Sequence, residues 1–397
     1  MQVLLLFPTN QNNLERWCRA AKSLGIDLAV VEYTSRPLCY PHHVGPVLRV
    51  DGNVEDVGTV LPLIEDLTLS GVVSYSEPAV PLAHRLAQTL GLPHNPRLRP
   101  ESVRDKTVMR ALLRDGGLVQ PRTILTTDGP ISASDLQDVR FPVVVKPVDG
   151  VGSFGVTLSR TPAEAVAAVA AVLHGDPFAG IGWSVGNTAT IEEFVEGPSF
   201  SCDTIIVDGG VAWSGVTAHY RAPEPFFDDI GQVFPARTRA SASDLRQLVN
   251  DTVSALGIDN GVCNVEFRET EEGPVVIEVA NRVAAGGIPQ IIELVTGVSL
   301  EGSALSIAAG RGHVARHGEG QYPCAASRLH FASSPAVRFP DGARLVESTV
   351  RAPTRHVPGA RATEITELVG MSVVCGDDPG PITRWAQDGV ASPGVQT

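Results

Sequence analysis

No apolar run in the 397 residues approaches the roughly 20 needed to cross a bilayer. The apolar stretch Val3 to Phe7 also lacks a basic n-region and a cleavage site, so neither export nor anchoring is expected and the cytoplasm is the expected location. The six cysteines (Cys18, Cys39, Cys202, Cys263, Cys324, Cys375) form no CxxC pair and no dense spacing, which excludes a disulfide scaffold and fits buried thiols in a reducing compartment. There is no Lys/Arg cluster either. With a net charge of -13, most of the surface would repel a polyanion, and nucleic acid is not an expected partner. Repeats and low-complexity tracts are absent as well.

The composition is that of a globular chain, 43% hydrophobic and 19% charged, and its length exceeds what one core usually fills. Folding is expected throughout, apart from the last few residues.

Residues 2–7 read as a parallel-type strand, followed by a helix from about Leu14 to Leu24 that stops at Gly25. Leu28 to Glu32 and Val72 to Tyr75 read as further strands, and Val80 to Leu90 as a helix ended by Gly91. This βαβ alternation predicts an α/β domain over residues 1–97, with "GLPHNPRLRP" at 91–100 as a linker. A helix then carries Asp105, Lys106, Met109 and Arg110. Between about 120 and 195 an α+β unit is expected, with strands near 122–126, 143–146, 155–158 and 190–195. Its helix has Thr161 as N-cap, Pro162 at the first helical position and Glu164 completing a capping box. Long alternating strands follow Ser199, and Ser241 is the expected N-cap of a helix from Asp244 to Leu256. Residues 311–397, broken by Pro and Gly, are expected to cap the middle domain, which spans 98–310.

Four segments carry the chemistry. In "KPVDGVGSFGV" at 146–156 a lysine ends a buried strand, and Gly150, Gly152, Ser153 and Gly155 could turn successive N–H groups toward a phosphate. The lysine precedes the glycines, so this is not a GxxxxGK[ST] loop, and a strand follows, so it is not a dinucleotide fingerprint. Alone it could be a plain Gly-rich hairpin. "RDKTVMRALLRDGGLVQPR" at 104–122 places Lys106 on an amphipathic helix, where a surface lysine is the bland reading. "IEEFVEGPSFSCDTII" at 191–206 reads as a half-buried strand with acids. In "GVCNVEFRETEEGPVVIEVANRVAAGG" at 261–287, strand periodicity puts Asn264, Glu266 and Arg268 on one face. A turn near Glu272 then makes Glu266 and Glu278 cross-strand neighbours, which repel unless a positive charge lies between them. Arg282 follows Glu278 by four residues.

Taken in order over roughly residues 100 to 305, these segments resemble the ATP-grasp superfamily of carboxylate–amine ligases, and in particular its dipeptide-forming L-amino-acid ligase branch. The resemblance implies an ATP-grasp fold of mixed α/β and α+β class. It would comprise a Rossmann-like pre-ATP-grasp domain, a lid subdomain at about 120–195 and a C-terminal α+β domain. It implies that Lys106 and Lys146 hold nucleotide phosphates under a mobile lid that includes Gly152 and Ser153. Adenine would pair with the backbone of Glu193 to Val195, with Glu192 beside its amino group. Glu266 and Glu278 would hold one or two Mg2+ ions, for which Mn2+ can substitute, and Arg282 would stabilise the transferring phosphoryl group as the catalytic residue. "FFDDIGQVFP" at 226–235 is similar to the branch's acid-x-x-His loop, which makes Asp229 an ammonium ligand and puts Gln232 in place of the histidine. Asp229 could equally be a turn residue, and His219 a structural one.

The sequence departs from the family pattern at Ser199, where many members carry a ribose-binding glutamate, a role Asp203 could take. It departs again at Ala280, where an amide often completes the second metal shell; Asn281 beside it should face the other way. A Glu-His pair used with bicarbonate is missing after Arg282. The expected activity is ATP-dependent amide formation between small molecules, through an acyl-phosphate. The alternatives are an ATP-grasp enzyme acting on a carboxylate that is not an amino acid, or a nucleotide sensor without turnover. The oligomeric state stays open, with a homodimer the common arrangement.

Overall fold

A computed structural model describes residues 1–8, 11–34, 37–42, 44–51, 56–175, 186–222, 224, 225, 227, 229–331, 339, 340, 342–350 and 368–388. The last few residues, expected to be unfolded, lie outside these.

The first unit alternates β1 (Gln2–Leu6), α1 (Gln11–Leu24), β2 (Asp27–Tyr33), β3 (Val47–Val50), α2 (Val57–Ile64), β4 (Leu69–Ser74) and α3 (Val80–Thr89). Its sheet is parallel, in the order β3-β2-β1-β4. Because helices cover both faces, β1 is apolar from Val3 to Leu6 without interruption. Val3 and Leu5 pack with Trp17 of α1, while Leu4 and Leu6 join Val60 of α2 and Leu82 of α3 on the other side. Each such buried side chain contributes about 1.5–3 kcal/mol.

After the linker, Asp105 caps α4 (Lys106–Asp115), accepting hydrogen bonds from the N–H groups of Thr107 and Val108. A second unit contains β5 (Thr123–Thr127), β6 (Val143–Pro147), β7 (Thr157–Ser159), α5 (Pro162–His174) and β8 (Ala189–Glu193), with antiparallel strand order β5-β8-β6-β7. Three details differ from expectation. β7 starts at Thr157 because Gly152, Ser153 and Gly155 hold the left-handed conformation and keep the loop turning. β8 ends at Glu193, which leaves Val195 beyond the strand. The Glu164 carboxylate accepts from the N–H of Arg160 rather than Thr161, so Thr161 caps α5 without the reciprocal bond.

The third sheet holds β9 (Ser199–Val207), β10 (Gly210–Arg221), β11 (Asp229–Phe234), β12 (Gly261–Glu269), β13 (Pro274–Ala280), β14 (Cys324–Phe331), β15 (Arg344–Val350) and β16 (Leu368–Gly376). All its pairs are antiparallel, in the order β13-β12-β9-β10-β11-β14-β16-β15, so strands after residue 311 extend the sheet begun at Ser199. One face takes α6 (Ala242–Leu256) and α4. Cys202, Ile206, Cys263, Val265 and Phe267 of the sheet pack there against Val249 and Val253 of α6 and Met109 and Leu113 of α4. Ser241 caps α6 as expected, in a capping box with Asp244. α9 (Pro379–Gln387) packs Trp385 and Ile382 against Val374 of β16.

Strand alternation turns the intervening residues, including Ser201, Asp203, Asn264 and Glu266, to the opposite face. α7 (Ile288–Thr296) and α8 (Leu300–Ala308) complete the packing. α8 lies so close to β4 that a Cβ on Gly71 would sit 2.1 Å from the Ala308 carbonyl oxygen, which only glycine tolerates. A buried ion pair, Arg16 to Glu301 at 2.6 Å, joins α1 to α8. Among the described residues no helix is long and apolar enough to cross a membrane.

Candidate active site

A cavity of about 400 Å³ lies between β6, β8 and the glycine loop on one side and β10–β13 on the other. Lys106, Lys146, Gly152, Ser153, Glu192, Glu193, Val195, Asp229, Gln232, Glu266, Glu278 and Arg282 all line it. Segments that are separate in sequence thus converge on one space.

Lys106 opens α4, and the Asp105 cap fixes where that helix begins. Its ammonium lies 2.8 Å from Glu278 Oε1 and donates to the Gly150 carbonyl at 2.8 Å, tying α4 to β13 and to the glycine loop. Burial opposes its charge, but Glu278 and Glu77 hold the group above the usual lysine range. Lys146 ends β6, with Nζ 2.6 Å from Glu192 Oε2. Burial carries it below the usual range, aided by Arg110 and Lys106 and opposed by Glu192.

Glu192 is 2% exposed and accepts two parallel bonds from Arg110, Nε to Oε1 and Nη2 to Oε2, each 3.0 Å. Burial alone would raise its pKa; Lys146 and Arg110 outweigh it and bring it to about 2. Glu192 was expected beside a base amino group; here its carboxylate is the counter-ion of Lys146 and Arg110. Arg110 went unassigned in the sequence, although it lies one turn after Lys106 on the same helix face. The N–H of Glu193 is also committed, donating to the Arg122 carbonyl at 3.0 Å, and so is not available to a base.

Glu266 and Glu278 are register partners across β12 and β13, as the turn placement predicts. Each carboxylate meets a cation: Arg221 Nη2 lies 3.0 Å from Glu266, and Lys106 neutralises Glu278. Burial raises the pKa of Glu266 despite Arg221 and His219, whereas Lys106 and Lys146 overcome burial to lower that of Glu278.

Arg282 follows β13 and pairs with Glu77, which stands in the turn after β4; Nε donates at 3.1 Å and Nη2 closes the pair. Arg282 Nη1 also donates to the Val283 carbonyl. Glu77 comes from the first unit and carried no sequence signal as a site residue.

Asp229 begins β11 and is not a turn residue. Its Oδ2 lies 2.9 Å from His219 Nδ1 and its Oδ1 3.6 Å from Arg221 Nε. Burial opposes the charge, but Arg221 and His219 keep this carboxyl well below the usual range. His219 is not an isolated core histidine: it lines the cavity and its Nε2 meets Ser201 Oγ at 2.9 Å. Gln232 is buried, accepts from Ser327 Oγ at 2.7 Å, and packs on Gly286, where an added Cβ would sit 2.9 Å from its Oε1.

Ser199 Oγ accepts from Arg221 Nε at 3.3 Å. Asp203, the acid considered for ribose, is corrected: it is buried away from the cavity and accepts from Ser201, Thr217 and Asn264. Asn281 faces away as expected, toward Val262 and Cys263, while Ala280 lines the cavity. Five of the cavity's six acids, Glu77, Glu192, Asp229, Glu266 and Glu278, thus have a basic partner among Lys106, Lys146, Arg110, His219, Arg221 and Arg282; Glu193 has no ion pair among the described residues. Arg268 has no ion pair among the described residues.

Residues 139–290 match the ATP-grasp domain family. A Sinorhizobium fredii protein, y4rH, is 27% identical over 315 residues, 78% of this chain and 64% of that protein. Dapdiamide A synthase of Enterobacter agglomerans is 28% identical over 248 residues, 61% of this chain and 57% of its own length. The chain therefore spans less than two thirds of either relative. Among solved structures, an L-amino acid ligase from Bacillus licheniformis superposes with a TM-score of 0.74 at 21% identity, covering 98% of this chain and 96% of that one.

Proposed function

Because the chain contains an ATP-grasp domain whose ionic residues converge on one cavity, we propose that it is an ATP-dependent carboxylate–amine ligase. The observation that carries this reading is the meeting of Lys106, Lys146, Glu266, Glu278 and Arg282 around one space. They arrive there from α4, β6, β12, β13 and the loop after β13. The names of dapdiamide A synthase and of the L-amino acid ligase support amino-acid-like substrates.

The oxygen donors suit a hard divalent cation, Mg2+ or Mn2+. Glu266 and Glu278 face each other, and among the described residues no third His, Cys, Asp or Glu joins them, so phosphate oxygens and water would complete the shell. Bound there, the metal would neutralise phosphate charge.

Phosphoryl transfer from ATP to a substrate carboxylate gives ADP and an acyl-phosphate. Attack by an amine then forms the amide and releases phosphate. Lys106 and Lys146 hold the phosphate chain, exchanging Glu278 and Glu192 in part for phosphate oxygens. Arg282 stabilises charge on the reacting carboxyl, held in place by Glu77. Asp229, fixed by His219 and Arg221, offers its carboxylate to the amine substrate's ammonium, with Gln232 beside it. The glycine loop, with Gly152 and Ser153 in the left-handed region, covers the phosphates and excludes water.

ADP release with Mg2+ and ATP, screened across amino acids singly and in pairs, tests the reading. ADP that requires a particular pair identifies acid and amine. No ADP with any amino acid or pair, with ATP binding still detected by calorimetry, would point instead to an acid outside the amino-acid class.

A further inference from the structure

Arg268 is the cavity's cation without an ion pair among the described residues, with Glu224 and Glu266 attracting its charge only from farther off, and its surroundings are aromatic. Its Cζ lies 5.2 Å from the Phe194 ring centroid and 5.7 Å from that of Phe227. The two rings stand 6.3 Å apart at 47°, so the three groups touch one another. Nη1 donates to the Gly197 carbonyl at 3.1 Å, which orients the guanidinium and leaves other N–H donors uncommitted within the cavity wall. Holding a guanidinium part-buried without an acid is unfavourable unless a bound group or a π face compensates.

Its place along β12 says which group that would be. Asn264 pairs with Ala280 near Arg282, Glu266 pairs with Glu278, and Arg268 comes two residues later. At the rise of a strand that is roughly 7 Å past the facing carboxylates, on the side away from Arg282. Arg268 is also the register partner of Ser199 across β9, and Phe194 follows directly on β8. If the phosphates lie over Glu266 and Glu278 and the substrate carboxyl at Arg282, the far end of the nucleotide reaches Arg268.

We propose that Arg268, braced by Phe194 and Phe227, is the residue that grips the nucleobase end of ATP. It presents a flat cation for stacking and free N–H donors to the ring nitrogens or sugar. This rests on the ligase reading above and adds a specificity determinant to it. A lysine could not replace it, because an ammonium has charge without a planar face.

The test is calorimetric binding of ADP and of inorganic tripolyphosphate, each with Mg2+, to the full chain and to Arg268→Leu, Arg268→Lys and Phe227→Leu. Tripolyphosphate has the phosphate chain and no base. Arg268→Leu is expected to weaken ADP about tenfold and tripolyphosphate less than about twofold, with Arg268→Lys resembling Leu and Phe227→Leu intermediate. Loss of both ligands in equal measure would show that Arg268 serves phosphate charge and would overturn the proposal. So would unchanged ADP binding in all three variants, which would leave Arg268 a structural brace. Should Arg268→Leu fail to fold, Arg268→Lys and Phe227→Leu carry the same comparison. A wild-type chain that binds neither ligand would refute the nucleotide reading itself, an outcome distinct from the other two.

Discussion

The ammonium of Lys106 lies 2.8 Å from Glu278, so the residue proposed to hold phosphate and the one proposed to hold a metal neutralise each other. Nucleotide and metal together can separate them, since each brings the charge that the other partner supplies now.

Glu278→Gln should therefore impair chemistry far more than folding. Turnover is expected to fall by about 100-fold or more, because the carboxylate proposed to position the metal is lost. Without nucleotide, stability should fall by about 1 kcal/mol, since Lys106 keeps the Gly150 carbonyl and an amide oxygen. Steady-state kinetics and thermal denaturation check the two halves.

Glu192 makes part of the stability depend on pH. Its folded-state pKa of about 2 lies below the ordinary 4.5, so its contribution is full above about pH 5 and is lost as pH falls toward 2. That difference corresponds to at most about 3 kcal/mol. Glu192→Gln should be less stable than wild type at pH 7, because Lys146 and Arg110 lose their partner. It should also lose less stability between pH 6 and pH 3, which denaturant titration at the two pH values measures.

Arg282→Ala should lower kcat by about 10² to 10³ while leaving ADP affinity within about twofold, since the arginine is assigned to the reacting carboxyl. Equal losses in kcat and in ADP binding, by kinetics and calorimetry, would place Arg282 on the nucleotide instead.

Gly286→Ala probes the proposed amine end. At φ +66° with Gln232 Oε1 2.9 Å from the new Cβ, the substitution should cost about 1–2 kcal/mol and displace the amide. The amine KM should rise several-fold with the ATP KM unaffected, as initial rates at varied amine and varied ATP would show.

Much of the site was legible in the sequence where it depends on local pattern. Period-two alternation and a turn near Glu272 place Glu266 opposite Glu278, a lysine ending an apolar run places Lys146, and Ser241 marks the start of α6. What was hidden is what needs the third dimension. Glu77 meets Arg282 across 205 positions and Arg110 meets Glu192 across 82, pairs that no spacing rule links. The partners of Glu192 and Asp203 were hidden for the same reason: strand alternation shows which side an acid is on but not which cation or hydroxyl meets it. β3 and α2 escaped because one spans four residues and the other contains Pro62.

The central claim is that the substrate carboxylate takes the phosphoryl group before the amine attacks, and oxygen transfer tests it most directly. With the carboxylate substrate labelled with ¹⁸O and the amine present, mass spectrometry of the released phosphate should find one labelled oxygen for each amide formed. Unlabelled phosphate beside a labelled amide would contradict an acyl-phosphate, and with it the roles given to Arg282 and to the facing glutamates.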